Sequence, residues 1–184
     1  MPEFYQALYT SPLGEVILIA DDQALEGIWF QGQKYEKAGL EGVSIPFLSL
    51  EQEPGAKGSQ EEASWQILKG AQKWLDVYFA GGNPDPGILP IKDKGTDFQR
   101  FVWQTLRDIP YGQTRTYKEI AQSIGCRSSQ AVGGAVGRNP YLILVPCHRV
   151  LDSKGRLCGY AAGLEKKKAL LDLEEATYQG EKDD

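Results

Sequence analysis

Cys147, His148 and Arg149, within Pro146-Cys147-His148-Arg149, are the residues of this 184-residue chain best placed by type and spacing for nucleophilic chemistry. The thiolate is the reactive form of cysteine, and cationic neighbours favour it. His148 is the chain's only histidine and adjoins the thiol, with Arg149 adding positive charge. The apolar run Tyr141-Leu142-Ile143-Leu144-Val145 before the tetrad reads as a buried strand delivering the cysteine to its end. Neighbours in a strand face opposite ways, so proton transfer through one bound water is expected rather than direct thiol–imidazole contact. A carboxylate on the far ring nitrogen would orient the histidine. Three other readings compete. One is an inert buried cysteine beside a satisfied core histidine. Another is a zinc site from Cys126, Cys147, His148 and Cys158, which lacks any C-x₂₋₄-C pair. The third is a papain-like hydrolase, whose histidine lies far along the chain, where none is present. No metal site and no cofactor are expected.

The elements around these residues fall into two halves. From Phe4 to Phe30, three β-rich runs with turns at Ser11-Pro12-Leu13-Gly14 and Asp21-Asp22 read as an antiparallel meander. Residues 31–62 read as loop. Trp65, Leu68, Ala71, Leu75 and Phe79 recur at helical spacing over Ser64 to Ala80, giving a helix to cover the sheet. Pro84, Pro86, Gly87 and Pro90 then mark a linker, with a domain boundary between about residues 82 and 95. The second half promises short helices. Thr96 or Asp97 caps one through Ile109, with Phe98, Phe101, Val102, Leu106 and Ile109 on its apolar face. Thr116-Tyr117-Lys118-Glu119 has the form of a capping box, opening a second helix that ends at Gly125. A third spans approximately Ser129 to Gly137, and the pair outlines a helix-turn-helix. Gly133, Gly134 and Gly137 each cost that helix about 1 kcal/mol relative to alanine. Close packing against another helix would justify them, as would a backbone that must approach an outside surface such as a DNA groove.

Charge and composition bound the partner. Residues 1–95 carry 7 Lys+Arg against 14 Asp+Glu, whereas residues 96–164 carry 9 against 4, so the overall charge of −5 hides a basic segment. A local DNA contact fits that distribution better than general coating of a polyanion, and a solvated basic face is the competing reading. Apolar runs are too short for a membrane span, the N-terminus lacks signal-peptide order, and three cysteines cannot pair fully. A cytoplasmic protein without a membrane partner is expected.

The second half closely resembles the O6-alkylguanine-DNA alkyltransferase family, also called methylated-DNA–protein-cysteine methyltransferases. The resemblance rests on Gly95-Thr96-Asp97-Phe98-Gln99, Val102-Trp103, Ile109-Pro110-Tyr111-Gly112, Thr116-Tyr117, Ala131-Val132-Gly133, Asn139-Pro140, Pro146-Cys147-His148-Arg149-Val150, Gly159-Tyr160 and Lys167 to Glu174. It implies an α+β protein: an N-terminal ribonuclease H-like domain (1–90) with a small antiparallel sheet and covering helix, a mostly helical C-terminal domain (91–176) with a helix-turn-helix and a cysteine loop, and an acidic tail (177–184). It further implies that a monomer binds double-stranded DNA, flips out O6-alkylguanine and takes the alkyl group irreversibly on Cys147, with O4-alkylthymine left open as a second lesion. His148 would be the water-linked base, Glu174 its orienting carboxylate, and Asn139 the brace between recognition helix and cysteine loop. Tyr117 would rotate the nucleotide's phosphate and, with Tyr160 and Lys167, help the leaving guanine take a proton. Backbone groups of Cys147, Val150 and Ala161 would read the base. Ala131, Gly133, Gly134 and Arg138 would lie toward DNA. Where the family commonly has an arginine that fills the gap left by the flipped base, this chain has Gln130, which lacks charge and a planar stacking surface; weaker DNA holding is expected. Arg127, about one turn earlier, would substitute if the helix begins sooner. The N-terminal zinc site of some members is excluded, since the first half has no Cys or His. A damage sensor without chemistry is the alternative, but such relatives replace the cysteine. An alkylation-switched regulator would need a further domain that 184 residues do not accommodate.

Overall fold

The computed structural model describes residues 3–181. They form two compact units, one holding Glu36–Lys92 together with the chain up to Gly32, the other Gln33–Tyr35 together with the chain from Asp93 onward. In the first unit, β1 (Tyr5–Ser11), β2 (Gly14–Ala20) and β3 (Leu25–Phe30) make an antiparallel meander in that order. Ser11 closes the first turn by accepting from the Leu13 N–H and donating to the Gly14 carbonyl. Helix α1 (Gln60–Phe79) packs on β1 and β2 through a stripe including Trp65, Leu68, Ala71 and Leu75. Each leucine of the stripe contributes about 1.5–3 kcal/mol by leaving water. The helix starts four residues before the expected Ser64, because Ser59 caps it by accepting from the Glu62 N–H and acidic residues fill its first turn. The proline-rich segment after α1 is laid against β3: Leu25 donates to the Pro90 carbonyl and accepts from the Lys92 N–H.

The second unit contains α2 (Asp97–Arg107), β4 (Arg115–Thr116), α3 (Tyr117–Ser123), α4 (Ser129–Gly137), β5 (Val150–Leu151) and α5 (Leu164–Leu173). Capping boxes open α2 at Thr96/Gln99 and α3 at Thr116/Glu119. The apolar face of α2 differs from expectation. Phe98 and Phe101 are 38% and 55% exposed, and the buried residues are Val102, Trp103 and Leu106. Trp103 wins the interior because its ring nitrogen reaches the Ala135 carbonyl at 2.8 Å, tying α2 to α4. α3 and α4 are joined through Ile124–Ser128 as the predicted helix-turn-helix, and α5 is an element the sequence pattern did not reveal.

The run Tyr141–Val145 is buried as expected but is not a strand. It folds as a turn, with Val145 donating to Tyr141 and Leu144 to Leu142, and Ile143 in the left-handed region at φ 71°. The side chain of Asn139 replaces a sheet neighbour. Its Oδ1 accepts from the Tyr141 N–H at 2.9 Å and its Nδ2 donates to the Val145 carbonyl at 2.7 Å. These bonds satisfy buried backbone groups that a strand would otherwise have to pair, and they hold the β-branched Ile143 in a conformation it would not adopt alone.

Candidate active site and DNA-facing helix

Cys147 begins a 3₁₀ turn, Cys147–Arg149, directly after the segment that Asn139 braces. β5 follows at once and pairs in parallel with β4, Arg115 opposite Val150 and Thr116 opposite Leu151. Tyr117 is the first residue of α3 after β4, so this four-residue ladder fixes Tyr117 relative to the cysteine turn. The thiol is 4% exposed. Burial pushes it up to about 11, against the opposing influences of Asn139 and the Lys167 ammonium. The expected lowering by adjacent His148 and Arg149 is therefore absent. Desolvation outweighs it, and those two side chains are engaged elsewhere.

His148 is fully buried, with Nε2 2.6 Å from Glu174 Oε2. Arg149 Nε donates to the other oxygen, Oε1, at 2.7 Å, and its Nη1 donates to the Ile109 carbonyl at 2.7 Å. The Gly112 N–H also donates to Oε1, at 3.1 Å. Burial alone would raise the Glu174 carboxyl, but His148 and Arg149 hold it far below the usual carboxylate range. Burial likewise lowers His148 and keeps the ring neutral in spite of Glu174. The consistent state is a Glu174 carboxylate accepting from Nε2–H, which leaves Nδ1 as the basic nitrogen. Nδ1 has no protein hydrogen-bond partner among the described residues. The turn Ile109–Gly112 thus cradles the Arg149–Glu174 pair. A side chain at Gly112, already at φ 77°, would stand 3.0 Å from the Glu174 carbonyl oxygen. The sequence marks that turn as the stop of the preceding helix and as a family match, and marks Arg149 only as a charge near the thiol.

Lys167, from α5, is completely buried. Its ammonium donates to the carbonyls of Val150 (2.5 Å), Gly159 (3.0 Å) and Cys158 (3.3 Å), and burial lowers it to about 8. The Tyr117 hydroxyl donates to the Cys158 carbonyl at 3.1 Å, and burial raises its phenol well above the ordinary value. Val150 lies behind the turn, fully buried, its N–H given to the Cys147 carbonyl and its carbonyl to Lys167.

A cavity of about 330 Å³ opens over Cys147, with Tyr117, Tyr160, Ala161 and the small residues Gly133, Gly134 and Gly137 of α4 on its walls. Val136 and Gly159 also line it, as do Lys34 and Tyr35, which carry no functional signal in the sequence. A second cavity of about 630 Å³ shares Tyr117, Gly133 and Gly159 and takes in Ser129 and Gln130. Gln130 and Ala131 are exposed in the first turn of α4. Ser128 caps that helix, so Arg127 lies outside it, and the earlier start that would let Arg127 take the place of Gln130 does not occur. Arg138 caps the C-terminal end, its guanidinium 4.5 Å from the Tyr35 ring centroid. The glycines of α4 do not serve internal packing. A side-chain carbon at Gly134 or Gly137 would meet nothing within 4 Å, and one at Gly133 would only touch the Tyr117 ring at 3.9 Å.

Residues 97–176 match the family model of the 6-O-methylguanine DNA methyltransferase DNA binding domain, and residues 4–92 match that of its ribonuclease-like domain. A methylated-DNA–protein-cysteine methyltransferase of Methanosarcina acetivorans is 39% identical over 171 residues, covering 92% of this chain and 97% of its own. The Mycobacterium tuberculosis protein of that name is 38% identical over 167 residues, covering 90% and 89%. The crystal structure of Mycobacterium tuberculosis OGT in complex with DNA superposes with a TM-score of 0.74 at 36% identity, over 93% of this chain and 92% of that one. An O6-methylguanine-DNA methyltransferase from Pyrococcus kodakaraensis gives 0.61 at 27% identity, over 92% and 98%. With both family models matched in order and such identity sustained along nearly the whole chain, the protein belongs to the 6-O-methylguanine DNA methyltransferase family.

Proposed function

We propose that this protein is a DNA repair methyltransferase that binds duplex DNA as a monomer, turns an O6-alkylguanine out of the stack and transfers the alkyl group irreversibly to its own Cys147. The observation that carries the reading is the buried chain Arg149–Glu174–His148 next in sequence to a cysteine that lines a base-sized cavity. A base inside a duplex cannot reach a buried sulfur, so extrusion into that cavity is required. The empty glycine face of α4 allows its backbone to approach the groove closely, and Gln130 stands at its exposed start to fill the gap left in the stack.

The chemistry follows from the protonation states. The resting thiol is protonated, which protects it from other electrophiles. Its proton passes through a bound water to Nδ1 of His148, and the Glu174 carboxylate stabilises the imidazolium that forms. Cys147 Sγ then attacks the alkyl carbon, forming a C–S bond as the C–O6 bond breaks and its electron pair stays on guanine. The Tyr117 hydroxyl, with Tyr160 beside it, gives the leaving base its proton, and the phenolate this leaves recovers the proton that the thiol gave to His148, returned through water. Lys167 contributes its charge to the thiolate and, through its three carbonyl bonds, holds the wall behind it. The product is a thioether that nothing in the site can reverse, so each molecule acts once. The reading is tested by incubating the protein with an oligonucleotide duplex carrying O6-methylguanine and mass-mapping its peptides. One methyl group on Cys147 is expected; a methyl group on another residue, or none, overturns it. A reducing compartment where DNA and free thiols coexist, as in the cytoplasm, suits the reading.

A further inference from the structure

The segment Gln33–Tyr35 lies in a stretch that reads as featureless loop, yet it packs with the second unit and lines the cavity over Cys147. Two contacts fix it there. The Lys34 N–H donates to the carbonyl of Ala161, itself a lining residue, at 3.1 Å. The Tyr35 ring lies under the Arg138 guanidinium at 4.5 Å and near the Lys34 ammonium at 5.2 Å, so two cations hold its π face. Tyr35 also adopts φ 60°, a left-handed conformation unusual for a bulky residue and kept only where surroundings enforce it. Across α4, three of the four lining residues are glycines, and Val136 is the one whose side chain contributes to the wall. Tyr35 is among the few bulky side chains on the wall, and unlike Tyr117 and Tyr160 it comes from a segment with no part in the proposed proton transfers.

We propose that Tyr35 is a specificity-determining wall of the alkyl pocket: held by Lys34 and Arg138, it limits the size of the O6 substituent that fits beside Cys147. The proposal rests on the alkyl-transfer reading above. It applies to O6-alkylguanines as a class, small groups being accepted with the wall in place and bulky aromatic groups resisted by it.

The experiment compares transfer from two otherwise identical duplexes, one bearing O6-methylguanine and one O6-benzylguanine. The readout is the ratio of the benzyl to the methyl rate, from which DNA affinity and the fraction of folded protein cancel. Tyr35→Ala is expected to raise that ratio about tenfold, and Tyr35→Trp to lower it by a similar factor, the scale on which a pocket discriminates by fit. Arg138→Met frees the ring without truncating it and is expected to raise the ratio by a smaller factor, so the test survives if Tyr35→Ala does not fold. Ratios within twofold of wild type in the folded variants overturn the wall while leaving alkyl transfer standing. If the wild-type protein accepts neither group, both readings fall together.

Discussion

Glu174 shows at the scale of one side chain how structure and chemistry share a residue. Its two oxygens face three donors: Nε2–H of His148 on one, Arg149 Nε and the Gly112 N–H on the other. A glutamine there has a single acceptor oxygen. If that oxygen keeps Arg149 and Gly112, its amide group meets Nε2, which must give up its proton to accept, and the ring proton moves to Nδ1. That tautomer places a proton on the nitrogen the mechanism needs as a base. Glu174→Gln is therefore expected to slow transfer at pH 7 at least about 100-fold, within the range a positioned base contributes. It should also cost about 3–5 kcal/mol of stability, because Arg149 loses the charge that compensates it. Single-turnover methyl transfer at a temperature where the variant is folded, paired with urea unfolding, separates the two effects. A stability loss with an unchanged rate would leave Glu174 as a purely structural anchor.

At the scale of elements, α4 presents a conflict between propensity and purpose. Three glycines in nine residues weaken the helix, and none fills a tight contact. Gly134→Ala is thus expected to stabilise the protein by about 0.5–1 kcal/mol, since the new methyl group meets nothing and the unfolded chain loses freedom. The same methyl stands where the groove must approach, so duplex affinity should fall by at least about threefold. A rise in melting temperature together with weaker binding in a fluorescence-anisotropy titration is the expected pair; unchanged affinity would remove the reason given for the glycines. Elements of this kind were legible because their signals are local: Thr116 with Glu119 opens α3, and Ser128 precedes α4. The run Tyr141–Val145 reads as a strand but is a turn, because a short, uniformly apolar stretch has no period and its shape is decided by the side chain of Asn139, outside it. Phe98 and Phe101 fit the helical period of α2 but lost the interior to Trp103, a choice made by a carbonyl 32 residues away. Lys34 and Tyr35 were invisible for the same reason, since their surroundings are Ala161 and Arg138.

At the scale of the whole molecule, chemistry and stability draw on the same proton. The chain has one histidine, and it is neutral in the fold, where burial holds it below its usual range. In the unfolded chain it takes a proton near pH 6.5. Below that value the unfolded state binds more protons than the folded one, so stability falls as pH falls, until the folded ring also titrates. Glu174 acts in a different window. Its carboxyl is depressed in the fold, so its contribution is fully present above about pH 4.5 and is lost only as pH drops through the folded value. Between pH 7 and pH 5 the slope should therefore come from His148, at up to about 1.4 kcal/mol per pH unit. Trp103 is the tryptophan of the second unit, so its fluorescence can follow that unit while the others report on the first. Urea unfolding at steps from pH 7.5 to pH 5 should show the midpoint falling with pH for the second unit, and His148→Gln should flatten that dependence whatever its own baseline. A slope that persists in His148→Gln would place it on another group, and a wild-type slope that is absent would mean that the histidine is already charged in the fold. In that case it could not accept the Cys147 proton at neutral pH, and the relay would have to be driven from the Lys167 side instead.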